Sequence, residues 1–142
     1  VEAEEVPPID KILLIPRGGL HIVNILARQL HLSGDRVVSL AISKYQLDDP
    51  ARQDASFKVG QTPSINDIYD QHILIADEIY DTGDTIVEAI ACLEGLGAQT
   101  VTTASLFYKP GQNRHSIQPD FHGPVTNGWV HFPWEVLDAP TA

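Results

Sequence analysis

The 142-residue chain contains no methionine, one cysteine and no apolar run near the ~20 residues that a transmembrane helix needs. Because Cys92 is alone, an intramolecular disulfide and a cysteine-built metal site are excluded, and a reducing, cytoplasmic location is expected. The segment from Val1 to Glu5 is acidic where a secretory signal would be basic. Since methionine is missing even at position 1, we expect the natural protein to begin further upstream.

Basic residues are also scarce. Nine Lys and Arg stand against 19 Asp and Glu, which gives a formal charge of -10. Such a charge repels phosphate at long range, so we expect neither a nucleic acid nor a membrane as a partner. A local phosphate site made of backbone N–H groups is not excluded, because it leaves no trace in a charge count. With 43% apolar residues, the length suits one domain, 1–142, with its core at about 11–108.

Apolar runs predict four strands, at Lys11–Ile15, Val37–Ile42, His72–Ala76 and Thr100–Tyr108. The first three are continuous rather than alternating, which is typical of strands buried on both faces of a parallel sheet. Helical spacing of apolar residues follows the first and third strands. The pattern therefore predicts an α/β fold, an open parallel sheet flanked by helices.

Two regions do not follow this pattern. Residues 43–70 are polar and interrupted by Pro50, Gly60 and Pro63, so they are interpreted as a long flexible loop. Residues 111–142, here called the hood, contain short irregular pieces and both tryptophans. We expect the hood to be a small cap rather than part of the sheet.

Polar residues or flexible backbone follow every predicted strand. The four segments are Pro16-Arg17-Gly18-Gly19, Ser43-Lys44-Tyr45, Asp77-Glu78 and Lys109-Pro110. Open α/β sheets bind ligands beyond the carboxyl ends of their strands. Each segment alone is typical of a solvated turn, but the four together indicate a polar site.

The most informative stretch runs from Ile73 to Ile86. A buried strand ends in two adjacent carboxylates, a third follows, and a Thr-Gly-x-Thr turn opens a helix. Free N–H groups and the helix dipole make that turn an anion site. Three carboxylates beside an anion require a divalent cation or a hydroxyl-rich ligand. Helix capping by Asp81 or Thr82 is the simpler alternative, and it explains one residue but not the array.

This stretch resembles the ribose-phosphate motif of type I phosphoribosyltransferases, in which two acidic residues precede Asp-Thr-Gly-x-Thr. The loop at Arg17 and Gly18 is similar to the family's pyrophosphate loop, and Lys109 to its base-recognition lysine. The segment from Gly128 to Glu135 resembles the hood of 6-oxopurine members of the xanthine-guanine and hypoxanthine-guanine type. The resemblance covers about 11–135 and implies the type I phosphoribosyltransferase fold.

The resemblance implies transfer of phosphoribose from 5-phosphoribosyl 1-pyrophosphate (PRPP) to guanine, xanthine or hypoxanthine in purine salvage, with Mg²⁺ as cofactor. Binding of PRPP is then assigned to Thr82, Gly83, Asp84 and Thr85 for the 5'-phosphate, Asp77 and Glu78 for ribose and metal, and Arg17 and Gly18 for pyrophosphate. Base recognition and turnover are assigned to Lys109, Trp129 and Val130 for the purine, Glu135 for a second metal, and Asp81 as the catalytic residue. Ser43, Lys44 and Tyr45 are assigned to the start of the flexible catalytic loop.

The chain departs from the family's pattern at Asp84, which places a carboxylate inside the phosphate loop. Relatives carry a helix before the first strand, so we expect such a helix upstream of Val1. A homodimer or homotetramer is expected. Two alternatives stay open: a non-catalytic PRPP- or nucleotide-binding regulator on the same fold, and a doubly wound domain for another nucleotide. The second is disfavoured because neither Gly-x-Gly-x-x-Gly after a strand nor Gly-x-x-x-x-Gly-Lys-Ser/Thr occurs.

Overall fold

A computed structural model describes residues 7–45 and 56–138. The main sheet has the order β2-β1-β5-β6-β7 and every pair in it is parallel. Its strands are β1 Lys11–Leu14, β2 Val37–Ser39, β5 His72–Tyr80, β6 Thr100–Tyr108 and β7 Phe121–His122. The helices are α1 Leu20–Gln29, α2 Ile65–Ile68 and α3 Asp84–Gly95. Short 3-10 turns lie at Gly34–Arg36, Pro110–Gln112 and Pro133–Asp138.

Alternate residues of the central strands face two different helices. Leu13, Ile73 and Ile75 pack in one apolar cluster with residues of α3. Ile12 and Leu74 pack in a second cluster with residues of α1. Successive strand residues point to opposite faces, so the sheet lies between two helical layers. The predicted open parallel sheet flanked by helices is confirmed. None of the helices in these described parts is long and apolar enough to cross a membrane.

The strand predicted at Val37–Ile42 is wrong beyond Ser39. Leu40 N donates to Leu14 O at 3.0 Å, where β1 ends, and Ala41 then turns the chain toward Gln61. Residues 42–45 form β3 (Ile42–Tyr45), which pairs antiparallel with β4 (Ser56–Val59) in a separate two-stranded sheet. Leu40 and Ile42 are buried as their apolar character predicts, but burial does not dictate the pairing partner.

The region predicted as a flexible loop, 43–70, is therefore partly regular. It contains the end of β3, all of β4 and the short helix α2, and residues 46–55 lie outside the described residues. Phe57 and Ile68 pack against the cluster on the α3 side of the sheet. These apolar contacts explain why the polar composition of the segment does not make all of it a loop.

The strand predicted to end at Ala76 continues to Tyr80. β6 supplies hydrogen-bonding partners along the whole extension, in a register that runs from His72 opposite Thr100 to Tyr80 opposite Tyr108. The prediction that the acid pair follows the strand is therefore wrong, because Asp77 and Glu78 lie within it.

The hood was expected to lie apart from the sheet, and this is wrong for β7. Phe121 and His122 add a fifth strand beside β6, with Ala104 opposite Phe121. Asp120 fixes this strand, since its Oδ2 accepts from Thr103 N at 2.8 Å and its own N–H donates to Thr103 Oγ1 at 3.0 Å. A two-residue strand lacks the apolar run by which longer strands are recognised.

Candidate active site

The acid pair lies near the carboxyl end of β5, the middle strand of the sheet. Burial raises the pKa of Asp77 to about 6, although the Glu78 amide N–H donates to its Oδ1 at 2.9 Å and the Glu78 charge adds a smaller upward effect. A carboxylate at this position is stabilised less by water than an exposed one. Any positive charge that approaches it is bound more strongly in consequence.

Glu78 faces the hood. Trp134 Nε1 donates to Glu78 Oε2 at 3.0 Å. Burial and the charge of Glu135 raise the pKa of Glu78, whereas the Trp134 hydrogen bond and the nearby His21 act in the opposite direction. Glu78 and Glu135 line the same cleft, and the assignment of Glu135 to a second metal stays a prediction.

The Pro16–Gly19 loop packs directly against the acid pair, and its Pro16–Arg17 peptide bond is cis. A Cβ atom on Gly18 would lie 3.2 Å from Asp77 Oδ1 and 3.4 Å from Glu78 Oε1. Because a side chain here would crowd the carboxylates, glycine allows the close approach. The loop opens on a cleft of about 400 Å³ lined by Arg17, Gly18, Leu20, His21, Glu78, Trp134 and Glu135.

The predicted phosphate loop adopts the conformation of a helix N-terminus. Gly83 precedes α3 with φ +84°, and a Cβ there would lie 2.7 Å from Tyr80 Oη. Thr82 Oγ1 accepts from Asp84 N at 3.3 Å, and Asp81 is exposed. A second, smaller pocket at this loop is lined by Asp77, Ile79, Tyr80, Asp81, Thr82, Gly83, Thr85 and Ile86.

The acid pair therefore faces two pockets. Asp77 lines the pocket of the phosphate loop, together with residues of α3. Glu78 lines the cleft with Arg17 and residues of α1. This division follows from the strand itself, because adjacent residues of β5 point to opposite faces. A ligand that spans the two pockets would pass both carboxylates.

Lys109 follows β6 and is buried, with 8% of its surface exposed. Its backbone N–H donates to Tyr80 O at 2.9 Å, which ties the end of β6 to the end of β5. Within residues 7–45 and 56–138 its ammonium makes no hydrogen bond or ion pair, and it lies 5.9 Å from the centroid of the Trp129 ring. Trp129 is 79% exposed and Val130 is half-buried. The structure thus brings together two of the three predicted purine-binding residues.

The predicted catalytic-loop residues are not brought to this edge. Ser43 is exposed on β3, in the separate two-stranded sheet, and lines neither pocket. The side chains of Lys44 and Tyr45 lie outside the described residues. The expectation that Ser43-Lys44-Tyr45 follows a strand of the main sheet is wrong, because the chain leaves that sheet after Ser39.

Two side chains at the cleft were not predicted to belong to it. His21 stacks on Trp134 with ring centroids 4.4 Å apart, and Trp134 stacks on Phe132 at 4.8 Å. His21 is in the first turn of α1, directly after the Pro16–Gly19 loop. Its closeness in sequence to that loop is the signal by which it could have been placed at the cleft. For Trp134 no sequence signal distinguishes packing from a hydrogen bond to Glu78.

The residues present suit a magnesium ion that is coordinated mainly by the phosphates of a bound molecule and by water. Among the described residues no group of three or more His, Cys, Asp or Glu is arranged to hold a metal by itself. Mg²⁺ commonly keeps several waters and takes one or two carboxylates plus substrate phosphates. The desolvated Asp77 and the crowded Glu78 match that limited contribution.

Comparison with known proteins decides the family. Residues 8–140 match the phosphoribosyl transferase domain. The chain belongs to the phosphoribosyltransferase family. Both the family and the fold predicted from the acid pair and the Asp-Thr-Gly-x-Thr loop are thereby confirmed.

Individual relatives of this phosphoribosyltransferase chain agree with the assignment. A purine phosphoribosyltransferase from Pyrococcus horikoshii Ot3 superposes with a TM-score of 0.75 at 28% identity, covering 95% of this chain and 81% of that one. HGPRTase-like protein 1 from Haloquadratum walsbyi is 27% identical over 135 residues, 89% of this chain and 69% of the relative. A hypoxanthine-guanine phosphoribosyltransferase from Schistosoma mansoni is 36% identical over 61 residues, 43% of this chain, which span only 22% of that enzyme.

The raised pKa of Asp77 predicts how stability depends on pH in the metal-free phosphoribosyltransferase. The folded state holds a proton on Asp77 between pH 3.8 and about 6, and the unfolded state does not. Asp77 therefore destabilises the fold progressively as pH rises through this window. In EDTA, Asp77→Asn should be more stable than the unsubstituted protein by ~2–3 kcal/mol above pH 7 and equally stable near pH 4.

Urea unfolding from pH 4 to 8 measures this difference. Asp70→Asn is the matched control, because it makes the same substitution at an exposed residue that lines neither pocket. Parallel stability curves for Asp77→Asn and the unsubstituted protein would show that Asp77 is not desolvated.

Proposed function

We propose that this phosphoribosyltransferase transfers the 5-phosphoribosyl group of PRPP to a 6-oxopurine, giving a nucleoside 5'-monophosphate and pyrophosphate in purine salvage. The packing of Gly18 against Asp77 and Glu78 supports this most directly. Through this packing, the Gly18 backbone and the Arg17 guanidinium lie on the same side of the site as the acid pair. One ligand that is phosphorylated at two positions would reach all of these groups. The names of the relatives support a purine as acceptor.

The ligand would span both pockets. Its 5'-phosphate binds the Thr82–Thr85 loop at the N-terminus of α3, where the N–H groups of the first helical turn and the helix dipole favour an anion. Its ribose hydroxyls lie at Asp77 and Glu78. The pyrophosphate extends toward Arg17 and the Gly18 backbone, which line the cleft with Glu78.

Magnesium would be held by Asp77 and Glu78, with Glu135 available for a second ion in the same cleft. When bound, it neutralises part of the pyrophosphate charge beside these carboxylates. The protein's own contribution is to hold the carboxylates of the acid pair partly buried within β5. Such carboxylates bind a cation more strongly than exposed carboxylates do.

In the reaction the bond between ribose C1' and the pyrophosphate oxygen breaks, and a bond between C1' and a purine imidazole nitrogen forms. The electron pair of the broken bond leaves with pyrophosphate, whose charge Arg17 and the N–H groups near Gly18 receive. A proton on the imidazole edge of the purine passes to Asp81. The exposure of Asp81 at the mouth of the phosphate loop leaves its carboxylate accessible to that edge.

Base selection is assigned to Lys109, with Trp129 as a flat surface for the purine and Val130 beside it. Lys109 is largely buried, its ammonium makes no hydrogen bond within the described residues, and lysine offers donors only. An oxygen at position 6 of a purine supplies the missing acceptor. Adenine carries an amino group there, so two donors would face each other.

Assays of guanine, xanthine, hypoxanthine and adenine with PRPP and Mg²⁺ should therefore show turnover of one or more 6-oxopurines. Adenine should be rejected by up to ~10⁴ in kcat/KM, as sites built around one hydrogen bond can do. Lys109→Ala should remove most of this discrimination, and Lys58→Ala, an exposed lysine on β4, is the control. A preference for adenine, or PRPP binding without any turnover, would contradict the proposal; the second result favours the regulatory alternative.

Asp81→Asn keeps the shape of the side chain and removes its basicity. We expect kcat to fall by roughly 10²–10⁴ while PRPP binding changes much less. Single-turnover rates and calorimetric PRPP titrations separate the two effects, with Asp70→Asn as an exposed control on a distant turn. A kcat close to that of the unsubstituted enzyme would place proton transfer on another group.

A further inference from the structure

Asp84 is the residue at which this chain places a carboxylate inside the loop assigned to the 5'-phosphate. It is the first residue of α3, and its side chain is only 12% exposed. A carboxylate at a helix N-terminus has the same sign of charge as phosphate and is attracted by the same N–H groups. The loop can bind phosphate well only if this carboxylate is held elsewhere.

The hood supplies partners for it. His115 Nε2 lies 2.6 Å from Asp84 Oδ1, the distance of a short hydrogen bond. Arg114 Nη1 lies 3.8 Å from Asp84 Oδ2 and its side chain is 61% exposed, so this ion pair is weaker. His115 is therefore the stronger of these two contacts to the carboxylate.

The position of His115 is fixed by the backbone around it. Arg114 N donates to Thr82 O at 2.9 Å, which attaches the hood to the phosphate loop itself. Asn113 Oδ1 accepts from His115 N at 2.9 Å, and its Nδ2 donates to Tyr108 Oη at 3.1 Å. These hydrogen bonds fix the backbone of residues 113–115, and they thereby hold the His115 imidazole next to Asp84.

We propose that His115, assisted by Arg114, is a positioning residue for the 5'-phosphate. Its hydrogen bond draws the Asp84 carboxylate toward the hood, and the Arg114 guanidinium offsets part of the carboxylate charge, so that the loop can accept the phosphate of the ligand. This inference rests on the proposed function, because it assumes that a phosphate binds at Thr82–Thr85. Asp84 therefore does not bind the phosphate, and its carboxylate is instead held by His115 and Arg114.

Calorimetric titration with GMP and with guanosine tests the proposal, because the two ligands differ only in the 5'-phosphate. His115→Ala should weaken GMP binding about tenfold, the usual effect of one charge-assisted hydrogen bond, and should change guanosine binding little. Asp84→Asn should bind GMP at least as tightly as the unsubstituted protein. The double variant Asp84→Asn/His115→Ala should recover the affinity that His115→Ala loses.

Two further variants distinguish loss of the contact between His115 and Asp84 from a general loss of folding. His115→Gln retains an N–H donor and should keep most of the GMP affinity, and Gln118→Ala changes an exposed residue nearby as the matched control. Equal weakening of GMP and guanosine by His115→Ala, or no recovery in the double variant, would overturn the inference alone. Failure of the unsubstituted protein to bind either GMP or PRPP would overturn the proposed function, and this inference with it.

Discussion

The position of Asp77, half-buried in the central strand where the Pro16–Gly19 loop packs against it, is the constraint on which the rest of the site depends. β1 pairs with β5 only as far as Ile75, whereas β6 pairs with it through Tyr80. Beyond Ile75 the Pro16–Gly19 loop packs against β5, and a Cβ atom on Gly18 or Gly19 would lie only 3.1–3.2 Å from atoms of that strand. The carboxylate is held there at a cost to stability. A cation bound beside the carboxylate would compensate its charge, and this would couple cation binding to stability.

The same strand divides the site into two halves. Asp77 points to the phosphate loop on the α3 side and Glu78 to the cleft on the α1 side. The hood joins both halves, since Trp134 donates to Glu78 and His115 contacts Asp84. A segment with little regular structure is thus positioned by hydrogen bonds to the acidic residues of the sheet and of α3. Under the proposed function, this arrangement is how a strongly acidic chain would assemble a site for an anionic ligand.

The parts of the fold that depend on long apolar runs could be predicted from sequence, and the parts that depend on pairing could not. The boundaries of β6 agree with its apolar run, and the convergence of the Gly18 loop, the acid pair and the Asp-Thr-Gly-x-Thr loop follows from parallel topology. The departure of the chain after Ser39 was missed, because burial of Leu40 and Ile42 is compatible with either sheet. The contact of His115 with Asp84 was also missed. An isolated basic pair in a hood carries no period or spacing that identifies its partner.

Calorimetry of PRPP binding, with Mg²⁺ and with EDTA, tests the central claim most directly, because the acid pair is proposed to lie beside the ribose and pyrophosphate of this ligand. Binding should be tight with Mg²⁺ and lost or strongly weakened in EDTA, where two carboxylates face a ligand of like charge without a cation. The double variant Asp77→Asn/Glu78→Gln should bind PRPP with nearly the same affinity in both conditions. Equal affinity of the unsubstituted protein with Mg²⁺ and with EDTA would contradict the role assigned to the acid pair.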